Sequence, residues 1–258
     1  MSRLRTSARR RTGSLSQQPT PTRPRRRSAR AEAPEAAATG ARSRRPRLPA
    51  RPSPRAPASS FDPDAAKWDA WRPHEVAARL AGVEAPWCVA AGWAIDLFLG
   101  GGHREHEDLE IAVPNDRLDE VVAAFPELEF FVITGPQEAT PLAEARDRLA
   151  ETHQTWAREP ETELWRFDVF REPSDGGMWV CRRDETIRLP YGEVIERTED
   201  GIPYARPEIV LLFKACHARE RDQGDFEAVL PRLGAERRRW LIDALGRVHP
   251  GHPWLEAL

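Results

Sequence analysis

The chain has 258 residues, and its formal net charge of −2 hides two unlike parts. Residues 1 to 60 carry sixteen Arg, no Lys and two acids, a surplus of fourteen positive charges, which leaves 23 basic and 39 acidic residues for the remainder, a deficit of sixteen. Cys88, Cys181 and Cys216 are widely spaced with no C-x-x-C, which argues against a disulfide framework or a thiolate zinc site and favours a reducing cytoplasm. No apolar run reaches the roughly 18 residues of a membrane span, because Asp96 interrupts WCVAAGWAIDLFLG and Lys214 ends IVLLF.

Residues 1 to 60 are built from Arg, Pro, Ala, Ser and Thr, with little to bury against the entropy of ordering. The expectation is a disordered tail. It lacks the apolar core of roughly 7–15 residues that an export signal needs. Nucleic acid or another anionic surface is the only partner that such an arm suggests.

After the tail, WRPHEVAARLAG (71 to 82) has helical spacing, and PWCVAA (86 to 91) reads as a short strand that Gly92 breaks. WAIDLFLG reads as a helix closing on glycines 100 to 102. The strand DLEIAV follows, then a helix over 115 to 125 and a strand at EFFVIT (129 to 134). Residues 135 to 162 are expected to be helix plus loop, with HQTW (153 to 156) in an irregular segment suited to contact with an acceptor. WRFDVF, MWVCRR and ETIRLP read as strands of one mixed sheet. From Pro207 the period becomes 3.6, with Ile209, Leu212, Phe213 and Cys216 on one stripe and two further helices behind it. The expected layout is an α/β (α+β) mixed-sheet domain over 66–205 and a small helical domain over 206–258.

Successive side chains on a strand point to opposite faces. In DLEIAV, Leu109, Ile111 and Val113 therefore share the core face, and Asp108 and Glu110 share the other. Two carboxylates so close raise each other's pKa unless a cation lies between them, and an oxygen-rich site with few protein ligands suits Mg²⁺. A wet strand face is the competing explanation. WRFDVF alternates in the same way and places Asp168 as a third carboxylate. Gly92, at a strand-to-helix turn, would let an anionic phosphate approach free backbone N–H groups.

The run AAGWAIDLFLGGGHREHEDLEIAV, followed at distance by WRFDVF and PEIVLLFKACHARERDQGDF, resembles the aminoglycoside and lincosamide nucleotidyltransferase group of the polymerase-β-like nucleotidyltransferase superfamily. The resemblance spans about 68 to 258. It implies that Asp108, Glu110 and Asp168 bind Mg²⁺ or Mn²⁺, with Asp168 also able to act as general base. It further implies that Ala91, Gly92 and Trp93 face the phosphates of an NTP, chiefly ATP, helped by Arg104 and Lys214. Two departures stand out: Ala91 where a second glycine is usual, and Glu110 where many relatives have Asp.

Lys214 is one of only two lysines beside 37 arginines, which marks it as a candidate phosphate contact. The resemblance also draws in Asp222 and Asp225, for which helix capping is the structural alternative. His103 and His106 lack partners spaced for zinc. The activity implied is transfer of a nucleoside monophosphate from an NTP to a hydroxyl of a small molecule, an aminoglycoside-type antibiotic among the candidates. The alternatives are a protein or RNA acceptor, and a non-catalytic nucleotide-binding or antitoxin-like module that keeps the fold.

Overall fold

The structure is a computed structural model, and it describes residues 67–135 and 138–258. The expectation of a tail over residues 1 to 60 lies outside the described residues. Among the described residues, eleven strands and seven α-helices occur: β1 (Cys88–Val89), β2 (Glu110–Pro114), β3 (Glu129–Gly135), β4 (Glu138–Pro141), β5 (Gln154–Arg158), β6 (Trp165–Glu172), β7 (Ser174–Asp175), β8 (Met178–Val180), β9 (Arg188–Pro190), β10 (Ile195–Arg197) and β11 (Pro203–Ala205), with α1 (Pro73–Arg79) ahead of the strands and α2 (Ala91–Leu99) and α3 (Leu118–Ala124) among the early ones. Helices α4 (Pro207–Lys214), α5 (Glu220–Val229), α6 (Ala235–Val248) and α7 (Trp254–Ala257) close the described chain. None of the described helices is long and apolar enough to cross a membrane.

Eight strands form one mixed sheet in the order β10-β11-β1-β2-β6-β5-β3-β4. The two strands with the acids are central neighbours: β2 runs parallel to β6, with Glu110 opposite Asp168 and Ile111 opposite Val169. The alternation in both strands explains this placement. Leu109, Ile111, Val113, Phe167 and Val169 are all buried on the core face, where Phe125 packs against Phe167 with ring centres 4.9 Å apart. Burying these side chains supplies most of the driving force for placing the acid-bearing face opposite.

Proline at the first turn starts both α1 and α4, where its missing N–H costs nothing. Helix α2 ends at Gly100, whose φ of 90° is the left-handed conformation that a helix C-terminus often requires. Asp96 then ties the glycine run back to the helix, accepting hydrogen bonds from the N–H groups of Gly102 (3.1 Å) and His103 (2.9 Å). That clasp sets the path of the loop from 102 to 108.

Three expectations change. The helix that contains Gly92 begins at Ala91, before the glycine, and the strand ahead of it has only two residues. HQTW is not irregular: residues 154–158 are β5, paired antiparallel with both β3 and β6, and Glu138–Pro141 is a further strand. The buried positions of β5 are the small Thr155 and Ala157, so the period-two signal is faint. Finally, β8 and β9 do not join the main sheet but form a separate three-stranded sheet with β7.

Candidate active site

The strand register builds the site. Glu110 and Asp168 are partners across β2 and β6, and Asp108 lies two residues ahead of Glu110, just before the strand. Asp108 is exposed, Glu110 half-buried and Asp168 buried. Gln154 Nε2 donates to Asp168 Oδ2 at 2.6 Å, whereas Asp168 Oδ1 is buried with no hydrogen-bond partner among the described residues. Burial and the charges of Asp108 and Asp168 push the Glu110 carboxyl well above its ordinary range, against the pull of Lys214 and Arg104. Burial also raises Asp168, although hydrogen bonds from Gln154 and Trp156 resist the rise. Both shifts describe negative charge in want of a cation.

The donors fit a hard divalent ion in chemistry: three carboxylates, one with an unsatisfied buried oxygen. Among the described residues, no three His, Cys, Asp or Glu side chains are drawn together closely enough to enclose a metal by themselves. A site that takes its remaining oxygens from a substrate phosphate is consistent with that open arrangement.

A cavity of about 640 Å³ lies against this face of the sheet. Ala91, Gly92, Arg104, Asp108, Glu110 and Lys214 line it. Trp93 and Asp168 do not. Trp93 is turned aside, stacked on His106 with ring centres 4.3 Å apart while its Nε1 donates to the Asp108 carbonyl at 3.0 Å, so it supports the loop that carries Asp108. Asp168 is held next to the cavity by Glu110 on one side and Gln154 on the other.

At the turn, Gly92 is covered by an arginine: a Cβ built there would lie 2.1 Å from Arg104 Nη2. Ala91 stands in the left-handed region at φ 47°. Glycine would be the easier residue at this position.

Lys214 is not a free phosphate hook. Its Nζ lies 2.8 Å from Asp222 Oδ1 and 2.9 Å from Asp225 Oδ2. Asp225, fully buried, also holds Arg104 Nε and His103 Nε2, each at 3.2 Å. Asp222 Oδ2 accepts from the backbone N–H of Arg219 at 3.1 Å, so it does cap α5, and from Arg219 Nε at 2.8 Å. Lys214, Arg104 and Arg219 therefore share two carboxylates, with His103 also on Asp225, beside the glycine turn. Sequence reasoning ranked Lys214 and Arg104 separately and missed Asp225 as their common holder, since it lies 121 residues from Arg104 and only the fold joins them.

No curated protein matches the sequence. Among solved structures, ANT(2'')-Ia in complex with adenylyl-2''-tobramycin is similar at 15% identity, covering 67% of this chain and 95% of that one with a TM-score of 0.47. Lincomycin-bound LnuA, a lincosamide antibiotic adenylyltransferase, is similar at 17% identity, covering 60% and 92% with a TM-score of 0.42. Residues 73–151 match the family model described as aminoglycoside-2''-adenylyltransferase. Over that stretch, which carries the glycine turn, Asp108 and Glu110 but not Asp168, the chain is a match to a family of nucleotidyltransferases, in line with its resemblance to the aminoglycoside and lincosamide group.

Proposed function

We propose that the protein is a Mg²⁺-dependent nucleotidyltransferase, acting in the cytoplasm, that moves a nucleoside monophosphate from an NTP to a hydroxyl of a small molecule and releases pyrophosphate. The family match favours adenylate as the group moved and an antibiotic-type acceptor. The observation that carries the reading is the register of Glu110 against Asp168, with Asp108 two residues ahead, beside a cavity that also holds the Gly92 turn.

In this reading the sheet domain, 66–205, supplies the acids and the helical domain, 206–258, supplies Lys214 and the two aspartates that fix it. Asp108, Glu110 and Asp168 would hold the metal, which when bound would neutralise charge on the phosphates and withdraw electrons from phosphorus. Gly92 leaves room at the turn for the Arg104 guanidinium, and Arg104, Lys214 and Arg219 attract the outer phosphates of the triphosphate. Asp168, held next to the cavity between Glu110 and Gln154, is the carboxylate that would take the acceptor's hydroxyl proton. Its raised pKa suits that proton transfer near neutral pH. The acceptor's oxygen then forms its bond to the α-phosphorus as the bond to pyrophosphate breaks in line.

The test is pyrophosphate release by the full chain with each NTP, with and without Mg²⁺, across a panel of hydroxylated antibiotics, with Asp108→Asn and Glu110→Gln beside it. Release that needs an acceptor, the metal and both acids is the expected outcome. Nucleotide affinity that is unchanged by either substitution and by removal of Mg²⁺ would overturn the assignment of those acids.

A further inference from the structure

The in-line requirement divides the cavity. Attacking oxygen and leaving pyrophosphate lie on opposite sides of the phosphorus. With the outer phosphates at the Gly92 turn, which follows β1, the acceptor comes in across β2, over β6. There the register continues the floor: beyond Glu110 and Asp168 come Ala112 and Phe170, and beyond those Glu172. Phe213, Arg182, Arg183 and Tyr191 line the same cavity.

This compartment is aromatic and basic. The Arg182 guanidinium lies 4.2 Å from the Phe213 ring centre and 5.9 Å from that of Phe170, and Arg183 lies 5.2 Å from Phe213. Arg182 is paired with Glu172, so those two charges cancel. Arg183 donates to His249 Nε2 at 3.0 Å and pairs with no carboxylate among the described residues, so its charge stands. Tyr191 Oη is buried and has no hydrogen-bond partner among the described residues. The field is felt nearby: burial and the charges of Arg182, Arg171 and Arg183 push His153 down to about 4.

We propose that this compartment takes an acceptor bearing a carboxylate or phosphate beside a flat apolar portion, with Arg183 and the Tyr191 hydroxyl as donors to the anion and Phe170 and Phe213 as the apolar walls. The inference rests on the nucleotidyltransferase reading for the direction of entry and narrows its acceptor. A polycationic aminoglycoside meets like charge here, even though the acidic surplus of residues 61 to 258 would attract one from a distance.

The test is titration calorimetry on the full chain with Mg²⁺, with and without a non-hydrolysable ATP analogue. The probes are 4-hydroxyphenylacetate for the carboxylate, pyridoxine 5'-phosphate for the phosphate and kanamycin for the polycation. The expected result is saturable binding of at least one anion at millimolar concentration or below, weakened roughly tenfold or more by Arg183→Gln, as for loss of a charge-assisted hydrogen bond. Arg183→Lys should retain most of that binding and Tyr191→Phe should reduce it several-fold, with melting temperatures confirming that each variant folds. Kanamycin binding more tightly than both anions, neither anion binding at millimolar concentration, or anion affinity indifferent to Arg183→Gln would each overturn the proposal. Failure of the ATP analogue to bind would instead defeat the nucleotidyltransferase reading, while the titrations without it still decide the charge preference of the compartment.

Discussion

Replacing Gly92 by Ala tests how tightly the turn and the arginine are fitted together. The new Cβ would lie 2.1 Å from Arg104 Nη2, 3.0 Å from its Cζ and 2.9 Å from His106 Nδ1, so the guanidinium must leave and the imidazole must shift. Arg104 is anchored on the buried Asp225 at 3.2 Å and on the Glu105 carbonyl at 3.0 Å. A charge-assisted hydrogen bond lost to a buried carboxylate is worth about 1.5–3 kcal/mol. Asp225 keeps Lys214 and His103, which favours the lower end. Moving His106 off its stack on Trp93 adds a contribution of about 1 kcal/mol. Gly92→Ala should therefore destabilise the fold by about 2–3 kcal/mol. In an Arg104→Ala background the main clash has gone, and the cost should fall to about 1 kcal/mol, a coupling of about 1.5 kcal/mol. Any gain in helix propensity from alanine is common to both backgrounds and cancels. Urea unfolding of the four proteins measures the coupling directly. Equal costs for Gly92→Ala with and without the Arg104 side chain would refute the packing argument.

Two further outcomes follow from neighbouring residues. Ala91 sits at φ 47°, a conformation that costs a non-glycine residue about 1–2 kcal/mol, while glycine gives back about 0.4–1 kcal/mol through the unfolded chain. Ala91→Gly should therefore raise stability by about 0.5–1 kcal/mol, seen as a higher melting temperature; a lower one would rule out strain at this position. Asp222 is held down to about 2: burial alone would raise its pKa, but hydrogen bonds from Arg219 and Lys214 outweigh that effect. A carboxyl depressed in the folded state contributes stability above its unfolded pKa of roughly 4, and that contribution is lost as pH falls towards about 2. The drop in urea midpoint over this acid window should be smaller in Asp222→Asn than in the parent, and an unchanged drop would show that the ion pairs add nothing to folding.

The acid row was legible because two strands alternate cleanly. DLEIAV and WRFDVF each put large apolar side chains on one face, and that face had to be the core; the carboxylates then had no other side to occupy. What alternation cannot give is which strands lie next to each other, and so the partnership of Glu110 with Asp168 awaited the fold. β5 escaped notice because Thr155 and Ala157 carry too little hydrophobic area to mark a buried face, and with it went Gln154, the side chain that holds Asp168. Helix α4 reads as a stripe but is buried more widely, Val210 and Leu211 included, because α2, α5 and α6 all pack on it. Lys214 was singled out by rarity and the resemblance. Its two carboxylate partners turn a suspected hook into part of a clasp, a distinction that depends on distances and not on composition.

The reliance of the glycine turn on Asp225 also orders events during synthesis. A ribosome releases β1, α2 and β2 long before α5, so the loop that carries Arg104 emerges without the carboxylate that anchors it. Strand β1 likewise waits for β11 on one of its edges. Contacts this far apart along the chain slow folding, since the connecting segments must be ordered first. A nascent chain halted before residue 225 would leave the Arg104 guanidinium and the His103 ring without their carboxylate, while Asp96 and Trp93 still hold the rest of that loop, so the mouth of the cavity is among the last parts of the described protein to take shape.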